Sequence, residues 1–95
     1  MARPKVSPVR LARTRLAVYS RDGYACKACG WLPKVPENYD GRYALSESWR
    51  KPNGKWGVRV LELDHVWPYL LGGKFEVDNL QALCNSCNAQ KGANV

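Results

Sequence analysis

The 95-residue chain has one histidine, one methionine and one phenylalanine, and its eight acids face fifteen lysines and arginines. No apolar stretch nears the roughly 18 residues a membrane-spanning helix needs, and the start of the chain lacks the apolar core of a secretory signal. No internal repeat or low-complexity tract is visible, which sets aside repeat arrays. The expectation is a soluble chain in a reducing, cytosolic setting with no membrane partner.

What is present points to one small domain. A chain this short buries only roughly 60 to 65% of its unfolded surface, so a staple is expected beside its limited core. Eight glycines and six prolines add many turns. The net charge of +7 is concentrated early. Residues 1–30 hold Arg3, Lys5, Arg10, Arg13, Arg15, Arg21 and Lys27 against Asp22 alone. Such a segment attracts polyanions and releases counterions from nucleic acid. Arg10, Arg13 and Arg21 are the expected contacts there, the competing reading being a solvated basic tail.

Residues 1–6 read as a basic arm and 7–95 as one domain with an irregular insert at 31–57. Ser7-Pro8 supplies an N-cap and first turn for a helix to about Ser20, with Val9, Leu16 and Tyr19 on one face. Asn53-Gly54 between Trp49 and Trp56 suits a hairpin turn, and Val58 to Leu63 is the best strand. A short strand over Leu80 to Leu83 and a helix over Asn85 to Lys91, ended by Gly92, complete a small α+β domain.

Cys26-x-x-Cys29 and Cys84-x-x-Cys87 are separated by 54 residues. In a reducing compartment two such pairs fit a structural Zn²⁺ site, because each tight turn lets both sulfurs reach one ion and four thiolates close its tetrahedral shell. Redox dithiols, disulfides or four independent buried thiols are the alternatives.

The most informative stretch is Asp64-His65, Gly72-Gly73, Asp78-Asn79-Leu80 and Cys84-x-x-Cys87-Asn88-x-x-Lys91. Hydrolysing a phosphodiester needs an activated water, a cation for the phosphoryl oxygens and help for the departing alkoxide. An imidazole is the side chain whose ordinary pKa leaves it able to accept a proton at cellular pH, so His65 is the natural general base. Asp64 and Asn88 offer hard oxygens suited to Mg²⁺. Lys91, at i+3, shares a helix face with Asn88. Taken singly, each is equally a cap or a surface contact. A zinc deaminase is excluded, because Val66-Trp67 follows His65 where that chemistry wants His-x-Glu.

Arg21 to Gly30, Leu63 to Pro68, Gly72-Gly73, Asn79-Leu80-Gln81 and Cys84 to Lys91 together resemble the HNH endonuclease family. The resemblance implies a zinc-stabilised ββα-metal (His-Me finger, treble-clef-like) core, here behind an N-terminal helix. It implies a metal-dependent DNA endonuclease or nickase in a bacterial or phage-infected host cytosol. By that likeness His65 activates water, Asp64 and Asn88 bind the catalytic ion, Asn79 holds the loop that orients His65, and Lys91 lies near phosphate. Asn88 stands where many relatives carry histidine, which favours Mg²⁺ or Mn²⁺.

Neighbouring strand residues face opposite ways, so Asp64 and His65 converge only if the chain leaves ideal strand geometry there. Two other readings stay open: a treble-clef nucleic-acid-binding module without turnover, and a nuclease subunit active only within a phage, restriction or mobile-element complex. A homodimer or such a partner protein is likewise open. The insert's aromatics and cations, among them Arg50, Lys51, Lys55 and Arg59, pack a core or grip nucleic acid.

Overall fold

The computed structural model describes residues 6–92, so the arm expected at 1–6 lies, except for Val6, outside the described residues. Helix α1 (Pro8–Arg21) begins where the sequence predicts: Ser7 is extended and its hydroxyl accepts the Arg10 N–H at 3.1 Å. The predicted face needs correction. Val9 is 61% exposed, whereas Thr14, Val18 and Tyr19 are buried. Val9 is the second residue of α1, and the buried positions lie further along the helix.

Strands β1 (Ser46–Arg50), β2 (Trp56–His65) and β3 (Leu80–Cys84) form one antiparallel sheet in that order. The ten-residue β2 is longer than the predicted Val58–Leu63 and changes partner midway. Its first half pairs with β1, from Arg50↔Trp56 to Ser46↔Val60. Its second half pairs with β3, from Leu61↔Cys84 to His65↔Leu80. Between β1 and β2 the chain turns at Asn53-Gly54, where Lys51 and Lys55 close the hairpin through an N–H···O bond of 2.7 Å and Asn53 Oδ1 accepts the Lys55 N–H.

Helix α2 (Asn85–Gly92) follows β3 without a loop. Its first residue makes that possible. Asn85 Oδ1 accepts the Val60 N–H at 3.1 Å and its Nδ2 donates to the Val58 carbonyl at 3.2 Å. The carboxamide thus extends the ladder along β2 after β3 itself has ended, meeting the Val60 N–H and the Val58 carbonyl as the chain turns away.

The core joins Val18 and Tyr19 of α1 to Leu45, Leu61, Leu80, Ala82 and Leu83, with Cys26 and Cys84 at its edge. The Tyr19 hydroxyl donates to the Leu61 carbonyl, and burial pushes its pKa up to about 12. The insert is anchored on α1 by Tyr39, whose ring lies parallel to Tyr19 at 6.3 Å, and by Arg15 donating to the Gly41 carbonyl at 2.7 Å. The observed architecture is the expected small α+β domain, with β2, β3 and α2 in ββα order.

A buried carboxylate joins these layers. Asp22 caps the C-terminus of α1 and its Oδ2 accepts the Ala82 N–H of β3 at 3.0 Å, while Lys27 N donates to the Ala82 carbonyl at 2.9 Å. Burial alone would raise the Asp22 pKa, but the Arg21 guanidinium, the Ala82 N–H and Lys27 outweigh it and hold the carboxyl below its ordinary range. Among the described residues, no helix is long and apolar enough to cross a membrane.

Candidate nuclease site and cysteine centre

The two Cys-x-x-Cys turns, 54 residues apart in sequence, meet. The ligand sulfurs of Cys26, Cys29, Cys84 and Cys87 all lie within 4.8 Å of one another, with Cys29 and Cys84 at 3.8 Å. Tetrahedral ligands at a Zn–S distance of about 2.3 Å stand roughly 3.8 Å apart, so the quartet fits one zinc-sized ion. Burial pushes the Cys26 thiol up, but N–H groups of Cys84, Cys29 and Ala28 outweigh that and bring it to about 6. Hydrogen bonding with Cys84, then burial and the other two sulfurs, pushes Cys87 up to about 12. Four sulfurs this close cannot all ionise unless a cation sits among them. The cysteines are therefore positioned to bind one metal ion and are compatible with zinc.

Cys87 sits on the first turn of α2, so the same sulfur quartet fixes the helix that carries Asn88 and Lys91. Two rungs join α2 to β2. Asn88 Nδ2 donates to Glu62 Oε1 at 2.9 Å, and Lys91 Nζ lies 2.7 Å from Asp64 Oδ2. The spacing explains the pairing: Glu62 and Asp64 share one face of the strand at i and i+2, while Asn88 and Lys91 share one face of the helix at i and i+3. Gln81, opposite Asp64 in the β2–β3 register, adds a second donor to Oδ2 at 2.8 Å. Asp64 is 9% exposed and carries two donors on one oxygen.

The strand does not break before His65. Pairing continues through His65↔Leu80, so Asp64 faces α2 whereas the His65 ring faces the other way, edge-on to Tyr69 at 6.2 Å and tilted against Phe75 at 6.1 Å. Lys91 links the two positions through the backbone, donating to the His65 carbonyl at 2.6 Å. On the ring's side is a cavity of about 690 Å³ that Arg10, Arg15, Glu62, His65, Lys74 and Phe75 help to line.

Asn79 organises the loop after His65. Its Oδ1 accepts the Trp67 N–H at 2.9 Å, its Nδ2 donates to the carbonyls of Trp67 and Lys74, and its own carbonyl accepts the Val66 N–H. The loop closes on Gly73, where a Cβ would lie 1.7 Å from the Trp67 carbonyl oxygen, so only glycine fits.

The arginines expected at nucleic acid divide. Arg13 is exposed. Arg10 donates to the Phe75 carbonyl at 2.9 Å and stacks over that ring at 5.7 Å, beside the cavity. Arg21 holds the protein together, with bonds to both Asp22 oxygens and to the Val77 and Leu80 carbonyls. Glu62 escaped the sequence reading, although its place two residues before Asp64 on one strand face was the available signal.

Residues 57–95 match the family model described as HNH endonuclease, a segment that holds nearly all of β2 together with β3 and α2. That match points to nuclease activity in general. No curated protein and no solved structure matches the chain. The matched segment contains the Asp64, His65, Asn79, Asn88 and Lys91 positions and two of the four cysteines, and over it the chain is similar to the HNH endonuclease family.

Proposed function

We propose that the chain is a metal-dependent DNA endonuclease or nickase in which His65 is the general base, Asp64 and Asn88 hold a Mg²⁺- or Mn²⁺-class ion, and the cysteine quartet holds a structural Zn²⁺. The observation that carries this reading is the pair of α2–β2 rungs, on the face of β2 opposite the His65 ring. They put Asp64, Asn88 and Glu62 on one strand–helix face, with the imidazole on the next residue. The oxygen-rich set fits a hard cation, since Asn88 donating through Nδ2 keeps its Oδ1 as an acceptor.

When bound, the divalent ion supplies Lewis-acid stabilisation of charge on the phosphoryl and leaving oxygens. The chain's own residues do the rest. Neutral His65 takes a proton from the attacking water as the new O–P bond forms. The opposite P–O bond breaks, and the departing alkoxide is protonated from solvent. Tyr69 and Phe75 wall the imidazole and limit its exposure to water. Lys91 places a cation at the junction of Asp64 and His65, near the developing charge. Asn79 positions the loop that carries these aromatic walls.

The non-catalytic binding module has one observation in its favour: Lys91 already neutralises Asp64, which is how a carboxylate with no metal to hold would be satisfied. Incubating the protein with supercoiled plasmid separates the two. The nuclease reading predicts nicking with Mg²⁺ or Mn²⁺, none with chelator, and loss of nicking in Asp64→Asn. Binding without nicking under all metal conditions supports the module instead.

A further inference from the structure

The hairpin that extends β2 away from His65 has no role in the site described above, and its surface is unusual. From Ser46 to Leu61 it contains four cations, Arg50, Lys51, Lys55 and Arg59, against one acid, Glu47, which lies opposite Arg59 in the ladder. Every residue of β1 is exposed, Trp49 is 48% and Trp56 62% exposed, and Val58 is 53% exposed. Indoles left in water at a hairpin tip contribute little to the core and mark a surface meant for contact.

The two faces of the ribbon are built alike. Directly paired residues of an antiparallel ladder share a face, so Arg50 and Trp56 stand together on one side and Trp49 and Gly57 on the other. On the first, the Arg50 guanidinium lies over the Trp56 ring at 5.8 Å. On the second, a Cβ at Gly57 would fall 2.4 Å from the Trp49 indole, so that ring lies flat on the glycine backbone. Exposed aromatic planes beside cations that outnumber the acids four to one are the chemistry that stacks on bases and neutralises phosphates. A protein partner of acidic character would use the cations but has less use for the solvent-facing rings.

We infer that the β1–β2 hairpin is a second DNA-binding element, a rigid arm that grips the duplex at a distance from the scissile linkage; this rests on the nuclease reading for the identity of the polyanion. Its rigidity comes from β2, which is one unbroken strand from Trp56 to His65. Nine residue steps at about 3.3 Å place the arm roughly 30 Å from the imidazole along the strand. At about 3.4 Å per base pair this spans roughly nine base pairs, close to one helical turn. The arm and the site can therefore address the same face of one duplex.

The test uses the full, zinc-loaded chain, a duplex of about 30 base pairs and the variant Arg50→Ala/Lys51→Ala/Lys55→Ala, whose changes lie on exposed residues and are checked against the wild-type thermal transition. Three lost phosphate contacts lower the slope of log K against log salt by about 2.7. The hydroxyl-radical footprint also shortens by roughly one turn on one side of the site. Trp56→Ala then loses most of the DNA-induced fluorescence quenching. An unchanged slope and footprint in the triple variant overturn the inference. So does sedimentation showing a wild-type dimer that Trp56→Ala dissolves without altering DNA affinity, because the rings would then serve a second copy. Nicking is scored separately. A protein that shows the arm-dependent slope but never nicks keeps this inference and loses the proposed function, and one that nicks with an arm-independent slope does the reverse.

Discussion

The Lys91 ammonium lies 2.7 Å from the Asp64 carboxylate, inside the strand–helix junction where that carboxylate would also meet a divalent ion. One oxygen cannot serve both at full strength. A metal that takes Asp64 must loosen this ion pair, and a lysine beside a bound dication adds repulsion.

Replacing Lys91 should therefore separate metal affinity from catalysis. Lys91→Met is expected to bind Mn²⁺ roughly tenfold more tightly, read by electron paramagnetic resonance, because the competing cation is gone. The same variant should be destabilised by about 2 kcal/mol without metal, since Asp64 is left buried with Gln81 as its remaining donor. Its nicking should fall. Unchanged Mn²⁺ affinity would show that Asp64 is not a ligand.

Asp22 should make stability depend on acid. Its folded pKa is depressed below the ordinary value of about 3.9, so its contribution is complete above that value and fades as pH falls through the lower folded pKa. Asp22→Asn is expected to cost about 2 kcal/mol at neutral pH, and the gap to the wild type should narrow below about pH 4. Urea unfolding at pH 7 and pH 3 checks both the size and the direction. A gap that widens in acid would contradict the assignment.

Metal removal from the cysteine quartet should unfold the domain instead of merely silencing it. Cys84 is completely buried and pairs with Leu61 at the partner switch in β2. Cys84→Ser, or a strong chelator, should abolish the cooperative thermal transition, since ion binding of this kind contributes on the order of 10 kcal/mol to folding. A chelated protein that still melts sharply near the wild-type temperature would refute a structural ion.

The local signals were readable in the sequence wherever one residue type dictates one geometry. Ser7-Pro8 started α1, Asn53-Gly54 turned the hairpin, and the two Cys-x-x-Cys turns converged. What escaped depends on contacts between distant segments. Nothing in the alternation of β2 marks Leu61 as the point where it changes partner. Nothing local shows that Asp22 will be buried under Ala82, that Arg21 will be drawn inward with it, or that Val9 will stay exposed. At the site, the sequence marked Asp64, His65, Asn79, Asn88 and Lys91 as a group. The rung between Asn88 and Glu62 and the opposite facing of Asp64 and His65 needed the register.

The pH profile of nicking should rise on its acid side with a slope near one, because a single neutral imidazole must accept the proton. A profile flat across the range in which imidazoles titrate would remove His65 from that role.

The most direct test is single-turnover cleavage of plasmid DNA by His65→Ala in saturating Mn²⁺, with DNA affinity measured on the same preparation. The account predicts that strand scission slows by about 10²- to 10⁴-fold while affinity stays within a few-fold of the wild type. Cleavage at the wild-type rate by His65→Ala would contradict it.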